Sequence, residues 1–366
     1  MNRILVTGGA GFIGSHICLL LLEMGFEVVV IDSFVNSSIK SLKRFNSLIS
    51  KTKSENINKL HVIKGDLRNI NDIKKAFEAS RKEKKSIEAV IHLAGLKSAL
   101  ESNLSPLEYY ENNVVGSLNL LREMANYGIK KIVFSSSATV YGESELKKCK
   151  EDFVLSPVSV YGKTKFIIEN VLKDIKETQP DWRIFILRYF NPIGAHPSGM
   201  IGEDPQNIPS NLIPFLTQVA VGKREELLVF GNTYDTPDGT GKRDYIHVQD
   251  LAAGHIAALQ NLEKACKKNI TVNLGTGQSY SVLEIIKAFE TSTGKKLGEG
   301  DHFYFNEDIN IRLSDFGTAH TTADKCEFGI RSDREIRGEA FRAEGLVPGL
   351  TAKFVFVGDL HSIEDY

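Results

Sequence analysis

Two side chains in the middle of the chain, the phenol of Tyr161 and the ammonium of Lys165, have the spacing of an activated base. Residues four apart share one face of a helix, so the two groups would lie side by side. A free tyrosine has a pKa of about 10 and is rarely ionised near neutral pH. The lysine cation, together with a second positive charge beside the phenol, would favour the phenolate. The pair therefore predicts proton abstraction from an alcohol, with Ser137 able to bind the same hydroxyl and relay the proton.

A glycine-rich segment near the N-terminus, residues 8–14, has the context of a dinucleotide site. It lies between a strand-like run at 3–6 and a helix-competent stretch at 12–24. Residues without a Cβ permit the tight turn and the close approach of a pyrophosphate, which the N–H groups of the helix start can bind. Asp32 ends the next predicted strand, 18 residues after Gly14. A carboxylate there binds the ribose hydroxyls and repels a 2′-phosphate, which favours NAD over NADP and, with the Tyr–Lys pair, predicts hydride chemistry.

Strand-like and helical runs alternate through the first half of the chain, which predicts an α/β fold. Further predicted strands are residues 27–31, 60–64, 87–92, 130–135 and 183–188, and the helices between them are 70–81, 106–127 and 160–176. We expect a doubly wound parallel Rossmann sheet with a smaller C-terminal α/β substrate domain. The expected regions are an NAD-binding domain at 1–190, a substrate-binding region at 191–297 and an acidic tail at 298–366.

Polar or small residues recur where the predicted strands end, the edge at which open α/β sheets bind ligands. Asp66 follows the third strand and could bind the adenine amino group. The turn Leu93-Ala94-Gly95 follows the fourth strand and could pass close under the cofactor, and Ser137 follows the fifth. A formal net charge of −1 implies no general attraction to nucleic acid or membrane.

The remaining composition favours a cytoplasmic enzyme without a metal. Four cysteines are scattered without metal-ligand spacing, which is typical of reduced thiols. The apolar run 16–24 is too short to span a bilayer, and we expect no signal peptide because the first apolar run leads directly into the glycines. His196 and His247 have no spacing that suggests a metal site, so we expect structural hydrogen bonds from them.

Longer motifs extend the pattern over residues 1–297. They are residues 7–14, 65–66, 92–97, 109–113, 135–142, 161–165, 187–192, 202–206 and 238–247. With these motifs the chain resembles the extended short-chain dehydrogenase/reductase family and, within it, the UDP-glucose 4-epimerases. The resemblance implies tightly bound NAD, reversible oxidation at C4 of a UDP-sugar that interconverts UDP-glucose and UDP-galactose, and a homodimer formed by the helices at 106–127 and 160–176.

The resemblance also implies roles for individual residues. Catalytic roles fall on Ser137, Tyr161 and Lys165. Cofactor contacts fall on Gly8, Gly11, Phe12, Ile13, Asp32, Asn36, Ser37, Asp66, Leu67, Leu93, Ala94, Gly95, Lys97, Asn112, Tyr161, Lys165 and Tyr189. Substrate contacts fall on Lys97, Ser137, Tyr161, Phe190, Asn191, Asn211, Leu212, Phe230 and Arg243, with Arg243 on the diphosphate.

Other outcomes stay open. Epimerases of UDP-N-acetylhexosamines or UDP-glucuronate share these motifs, whereas a 4,6-dehydratase is disfavoured because Thr139 is flanked by Ala138 and Val140 rather than by acids. The tail at 298–366 carries 14 acidic and 7 basic residues and does not match the family, whose usual arginine pair it lacks. Candidates in the tail for a second diphosphate contact include Arg312, Arg331, Arg334 and Arg337. The alternative is therefore an NAD-binding protein with weak or no turnover.

Overall fold

The computed structural model of the chain describes residues 3–49, 56–82, 86–142, 149–205 and 209–297, and the short strands at 304–305 and 355–357. Within these residues, seven parallel strands form the central sheet. They are β1 (Arg3–Thr7), β2 (Glu27–Asp32), β3 (Leu60–Lys64), β4 (Ile87–His92), β5 (Lys131–Ser137), β6 (Arg183–Tyr189) and β10 (Ile270–Gly275). Their order is β3-β2-β1-β4-β5-β6-β10, with β13 (Val355–Val357) antiparallel beside β10. The predicted doubly wound Rossmann sheet is confirmed, and its strand order reverses between β1 and β4.

Helices cover both faces of the sheet, so its inner strands are buried on both sides and carry nearly continuous apolar runs, whereas the edge strand β3 is partly exposed. The longer helices are α1 (Phe12–Glu23), α4 (Ile70–Lys82), α7 (Gly116–Asn126), α8 (Val160–Thr178) and α10 (Val248–Gln260). Ile4 and Val6 of β1 belong to a core with α1 and α10, whereas Leu5 faces a second core with α4, α7 and α8. Because both faces of the sheet are covered, the polar residues that the site needs lie at the ends of the strands.

The predicted helix at 106–127 has a change of helical type inside it. It consists of α6 (Pro106–Tyr109), a π-helical turn at Tyr110–Val115, and α7. A π-helical turn alters which side of the helix the next residues face, and such turns are frequent at functional sites. Shorter helices flank the sheet edge; they are α2 (Ile39–Lys43), α3 (Phe45–Leu48) and α5 (Ala99–Leu104).

A smaller α/β region lies beyond the sixth strand. Its elements are β7 (Asn191–Ile193), α9 (Leu212–Ala220), β8 (Leu228–Val229), β9 (Lys242–His247), β11 (Ser279–Ser281), α11 (Val282–Thr293) and β12 (Tyr304–Phe305). β7, β9 and β11 form one small sheet and β8 pairs with β12, over a separate core that includes Leu216, Tyr245 and Phe289. Because α10 and β10 return to the main sheet, the expected division at residue 190 does not coincide with the edge of that sheet.

Candidate active site

The turn between β1 and α1 has the geometry that its glycines predict. Gly8 has φ +70°, and a Cβ there would lie 3.0 Å from the backbone of Ala94. A Cβ on Gly14 would lie 2.3 Å from the Gly8 carbonyl oxygen, so only glycine fits. Gly11 is the N-cap of α1 and brings no side chain to its first-turn N–H groups. The turn therefore leaves backbone donors for the oxygens of a pyrophosphate.

Asp32 is fixed beside this turn at the end of β2. One carboxylate oxygen accepts a hydrogen bond from the Ala10 N–H at 2.9 Å, and the other accepts from Ser37 Oγ at 2.7 Å and from the Phe34 N–H at 2.9 Å. Ser37 is thus held against Asp32, whereas Asn36 is exposed, and the cofactor contacts of both residues stay predictions. The buried acid next to a glycine turn fits the adenosine ribose of NAD.

The carboxylate of Asp66 is paired with a neighbouring arginine side chain. Its carboxylate forms an ion pair with Arg68 at 2.6 Å, and the hydrogen bond from Arg68 lowers the pKa of Asp66. The adjacent Leu67 is buried against Gly116. The adenine contacts of Asp66 and Leu67 stay predictions.

The loop after β4 is held under the glycine turn by side chains that sequence reasoning missed. Thr7 Oγ1 accepts hydrogen bonds from the N–H groups of Leu93 (3.2 Å) and Ala94 (3.1 Å). Asn113, in the π-helical turn, binds both the N–H and the carbonyl of Leu96 and donates to Thr164 Oγ1 at 3.0 Å. Asn112, the predicted contact, is half-buried. An α-helical period could not decide between two adjacent asparagines in a π-helical turn.

Helix α8, which carries the candidate base, is fixed at both ends. Ser159 Oγ caps its first turn by accepting from the Gly162 N–H at 3.1 Å, and a Cβ on Gly162 would lie 2.9 Å from the Thr139 carbonyl. At the other end, the Lys176 ammonium lies 2.7–3.0 Å from four backbone carbonyls, those of Pro180, Trp182, Ala265 and Cys266. The position of α8 against β5 is therefore firmly determined.

The three predicted catalytic residues come together at the end of β5. Lys165 Nζ donates to the Ser135 carbonyl at 2.9 Å and lies 5.9 Å from the centre of the Tyr161 ring. The Tyr161 phenol interacts with Ser137, whose Oγ also accepts from Thr139 Oγ1 at 3.0 Å. Side chains of all three predicted residues are buried.

Burial shifts the pKa values of Tyr161 and Lys165 in opposite directions. It raises the pKa of Tyr161 to about 12, against a lowering by the hydrogen bond with Ser137. It lowers the pKa of Lys165 to about 8, against the attraction of Glu169, which raises it. The sequence predicted that two positive charges would lower the pKa of Tyr161. In the chain alone this pKa is raised instead. The residues fit a site in which the positive nicotinamide ring completes the base.

Behind the base lies a buried ion pair that sequence reasoning also missed. Glu169 follows Lys165 by one helical turn and pairs with Arg188 at 2.7 Å, while Ser136 Oγ donates to the same carboxylate at 2.6 Å. Arg188 Nη1 donates to Tyr141 Oη at 3.0 Å. Burial opposes the charge of Arg188, but the hydrogen bonds with Glu169 raise its pKa overall.

Three of the predicted substrate residues lie in or next to the small sheet of the smaller region. Phe190 is buried where a Cβ on Gly275 would lie 2.5 Å from its ring. The preceding Tyr189, a predicted cofactor contact, ends β6 of the main sheet. Asn191 Nδ2 donates to the Asp244 carbonyl at 3.2 Å. Arg243 Nη1 donates to the Lys242 carbonyl at 2.7 Å, and burial lowers the pKa of Arg243.

Of the other predicted substrate residues, one is exposed and two are held by a carboxylate. Phe230 is 38% exposed, and its substrate contact stays a prediction. Lys97 and Asn211 both bind the carboxylate of Glu203, a residue given no role by the sequence, and Leu212 begins α9. The four tail arginines proposed for the diphosphate lie outside the described residues.

The described part of the chain gives no sign of a metal centre or a membrane span. No group of three or more His, Cys, Asp or Glu side chains in it could hold a metal ion. His196 binds Ser198 and His247 caps α10, as structural roles predict. None of the helices described is long and apolar enough to cross a membrane.

The sequence model of the NAD dependent epimerase/dehydratase family matches residues 4–275. The chain belongs to this family. It is 51% identical over 297 residues to a bifunctional UDP-glucose 4-epimerase and UDP-xylose 4-epimerase of Arabidopsis thaliana, covering 81% of this chain and 82% of the relative. It is 49% identical over 296 residues to a UDP-glucose 4-epimerase of Dictyostelium discoideum, covering 81% and 83%. The resemblance found in the motifs is confirmed.

Solved structures of the epimerase family share the fold. The UDP-glucose 4-epimerase of Bifidobacterium longum in complex with NAD⁺ and UDP has a TM-score of 0.73 and 39% identity, covering 87% of this chain and 96% of that one. The enzyme from Stenotrophomonas maltophila, with bound NAD and formylated UDP-arabinopyranose, has a TM-score of 0.74 and 41% identity, covering 88% and 94%.

Proposed function

We propose that this chain is an NAD-dependent epimerase that interconverts UDP-glucose and UDP-galactose by reversible oxidation at C4 of the sugar. The observation that carries the proposal is the convergence of Tyr161, Ser137 and Lys165 at the end of β5. This end lies at the same sheet edge as the glycine turn and Asp32. Relatives named UDP-glucose 4-epimerase, about half identical over 81% of the chain, support the same substrate.

The chain's own residues would act on the proton and on the position of the sugar. Bound NAD supplies the hydride acceptor and donor, held by the turn at Gly8 and by Asp32. Tyr161 takes the proton of the C4 hydroxyl and returns it, while Ser137 orients that hydroxyl. Lys165 stabilises the phenolate. Arg243 is the candidate for the diphosphate, since a guanidinium suits its oxygens. Because the reaction has no net oxidation, the cofactor should stay bound between turnovers.

A turnover assay on the purified chain tests the proposal. We expect UDP-galactose to be converted to UDP-glucose, with NAD released only on denaturation of the protein. UDP-xylose belongs in the same assay because relatives are named for it, and UDP-N-acetylglucosamine and UDP-glucuronate complete the comparison. Bound NAD without conversion of any UDP-sugar would support the alternative of an inactive NAD-binding protein.

We propose a homodimer from exposed apolar side chains on α5 and on the helix at 106–127, which is one of the two helices predicted to pair. Leu104 and Leu107 are 79% and 78% exposed, and Leu100, Val115 and Leu118 are exposed beside them along the chain. An exposed apolar patch is typical of a protein interface. A second copy that presents the same helices would cover the patch with an isologous contact.

Light scattering after size exclusion checks the dimer. We expect twice the chain mass for the unmodified protein and a single chain mass for a variant with both Leu104→Glu and Leu107→Glu. Val221→Glu is the matched control, because Val221 is 64% exposed at the end of α9. A double variant that keeps the mass of the unmodified protein would contradict this interface.

A cytoplasmic location is the remaining part of the proposal. Cys18 is buried and Cys266 exposed, both as thiols without a disulfide. Thiols in this state suit a reducing compartment.

A further inference from the structure

One carboxylate oxygen joins two of the candidate substrate residues. Glu203 Oε1 lies 2.7 Å from the Lys97 ammonium and accepts a hydrogen bond from Asn211 Nδ2 at 2.8 Å. The Glu203 side chain is only 9% exposed, whereas that of Lys97 is 41% exposed. A charge-assisted hydrogen bond that a lysine ammonium donates to a largely buried carboxylate is among the stronger polar contacts in proteins. Glu203 can therefore hold a lysine that would otherwise move freely in solvent.

The two partners of Glu203 come from different halves of the molecule. Lys97 lies in the loop after β4 of the main sheet, and Asn211 directly precedes α9 of the smaller region. Glu203 itself follows the bridge between Ala195 and Gly202, whose connecting segment inserts Ile201 into the main core. The carboxylate therefore sits on a segment anchored independently of both partners.

The side chain of Asn211 binds Glu203 and does not cap the helix that it precedes. Asparagine is among the most favoured N-cap residues, because its side-chain oxygen accepts from the first-turn N–H groups of a helix. Asn211 is at the N-cap of α9, yet its side chain makes no capping hydrogen bond and donates to Glu203 instead. Without the carboxylate, Asn211 is expected to turn back and cap α9.

We propose that Glu203 is a positioning residue that pre-assembles the cleft for a nucleoside diphosphate sugar by holding Lys97 and Asn211 in place. The proposal rests on the proposed function, and it assigns Glu203 to binding rather than to the chemical step. Loss of the carboxylate releases the lysine to solvent and the asparagine to the helix, so both groups must be reordered when substrate binds. That cost falls on binding affinity.

The test compares Glu203→Ala and Glu203→Gln with the unmodified NAD-containing protein. We expect Ala to raise both the KM for UDP-galactose and the calorimetric Kd for UDP-glucose by roughly tenfold or more, with kcat changed less than about threefold. Gln keeps a neutral acceptor, so a smaller rise of a few fold is expected. Asp204→Asn, a change at the neighbouring exposed acid, is the control and should bind UDP-glucose normally.

A double-mutant cycle separates positioning from a general structural role. Once Lys97→Met is present, adding Glu203→Ala should raise the Kd much less than it does in the unmodified protein. Full additivity, an unchanged Kd for Glu203→Ala, or an equal fall in kcat at constant KM would overturn the proposal. If the Ala variant does not fold, an unchanged Kd for Glu203→Gln overturns it. Calorimetry needs no turnover, so an inactive unmodified chain would contradict the proposed function while the Glu203 test still stands.

Discussion

Replacing Tyr161 with Phe is expected to lower kcat by roughly 10²–10⁴-fold, the usual contribution of a positioned acid–base group. The substitution keeps the buried ring and its packing near the Lys165 ammonium, 5.9 Å from the ring centre. It removes only the oxygen that interacts with Ser137 and that would take the C4 proton. Initial rates of UDP-galactose conversion measure the loss, and the absorbance of released nucleotide measures the bound NAD, which should be unchanged.

Tyr127→Phe is the matched control for the loss of a phenol. Tyr127 is at the end of α7, stacked on Phe77, and its hydroxyl contacts Glu78 rather than the catalytic residues. Its removal should leave kcat within about twofold, as for surface changes away from a site. Full activity in Tyr161→Phe would show that another group is the base, even if the chain is an epimerase.

Much of the main sheet and of its functional edge could be predicted, because few folds are compatible with a regular alternation of strands and helices. Alternating strands and helices imply parallel strands, whose carboxyl ends must lie at one edge. Asp32 and Ser137 are therefore at that edge in the structure, as predicted. The Tyr161–Lys165 pair was predictable from spacing on one helix.

The missed features depend on partners far apart in the chain. Glu169 and Arg188 are separated by 19 residues, and Glu203 meets Lys97 across 106 residues, so neither pairing leaves a local pattern. Asn113 was missed because the π-helical turn at Tyr110–Val115 breaks the period on which helix faces are assigned. The balance of burial and charge at Tyr161 likewise depends on packing that spacing does not contain.

Replacing Glu169 with Gln is expected to reduce the free energy of unfolding by about 3–5 kcal/mol, the usual effect of breaking a buried ion pair. Glu169 and Arg188 are 0% and 2% exposed, so water cannot compensate the guanidinium that the substitution leaves without its anion. Urea unfolding measures the loss. Glu177→Gln, the same change at an exposed position near the end of α8, should cost little. Adding Arg188→Met should recover part of the stability, because no unpaired charge then stays buried.

The same variant links this ion pair to catalysis through Lys165. The negative charge of Glu169 raises the pKa of Lys165, which burial alone lowers, to a net value of about 8. Without that charge, and with Arg188 unneutralised nearby, the pKa of Lys165 should fall further. The lysine then loses its proton at a lower pH and ceases to stabilise the phenolate. We therefore expect the alkaline limb of the kcat–pH profile to move to lower pH. A less stable variant with an unmoved alkaline limb would mean that the pair supports the fold and has no influence on the base.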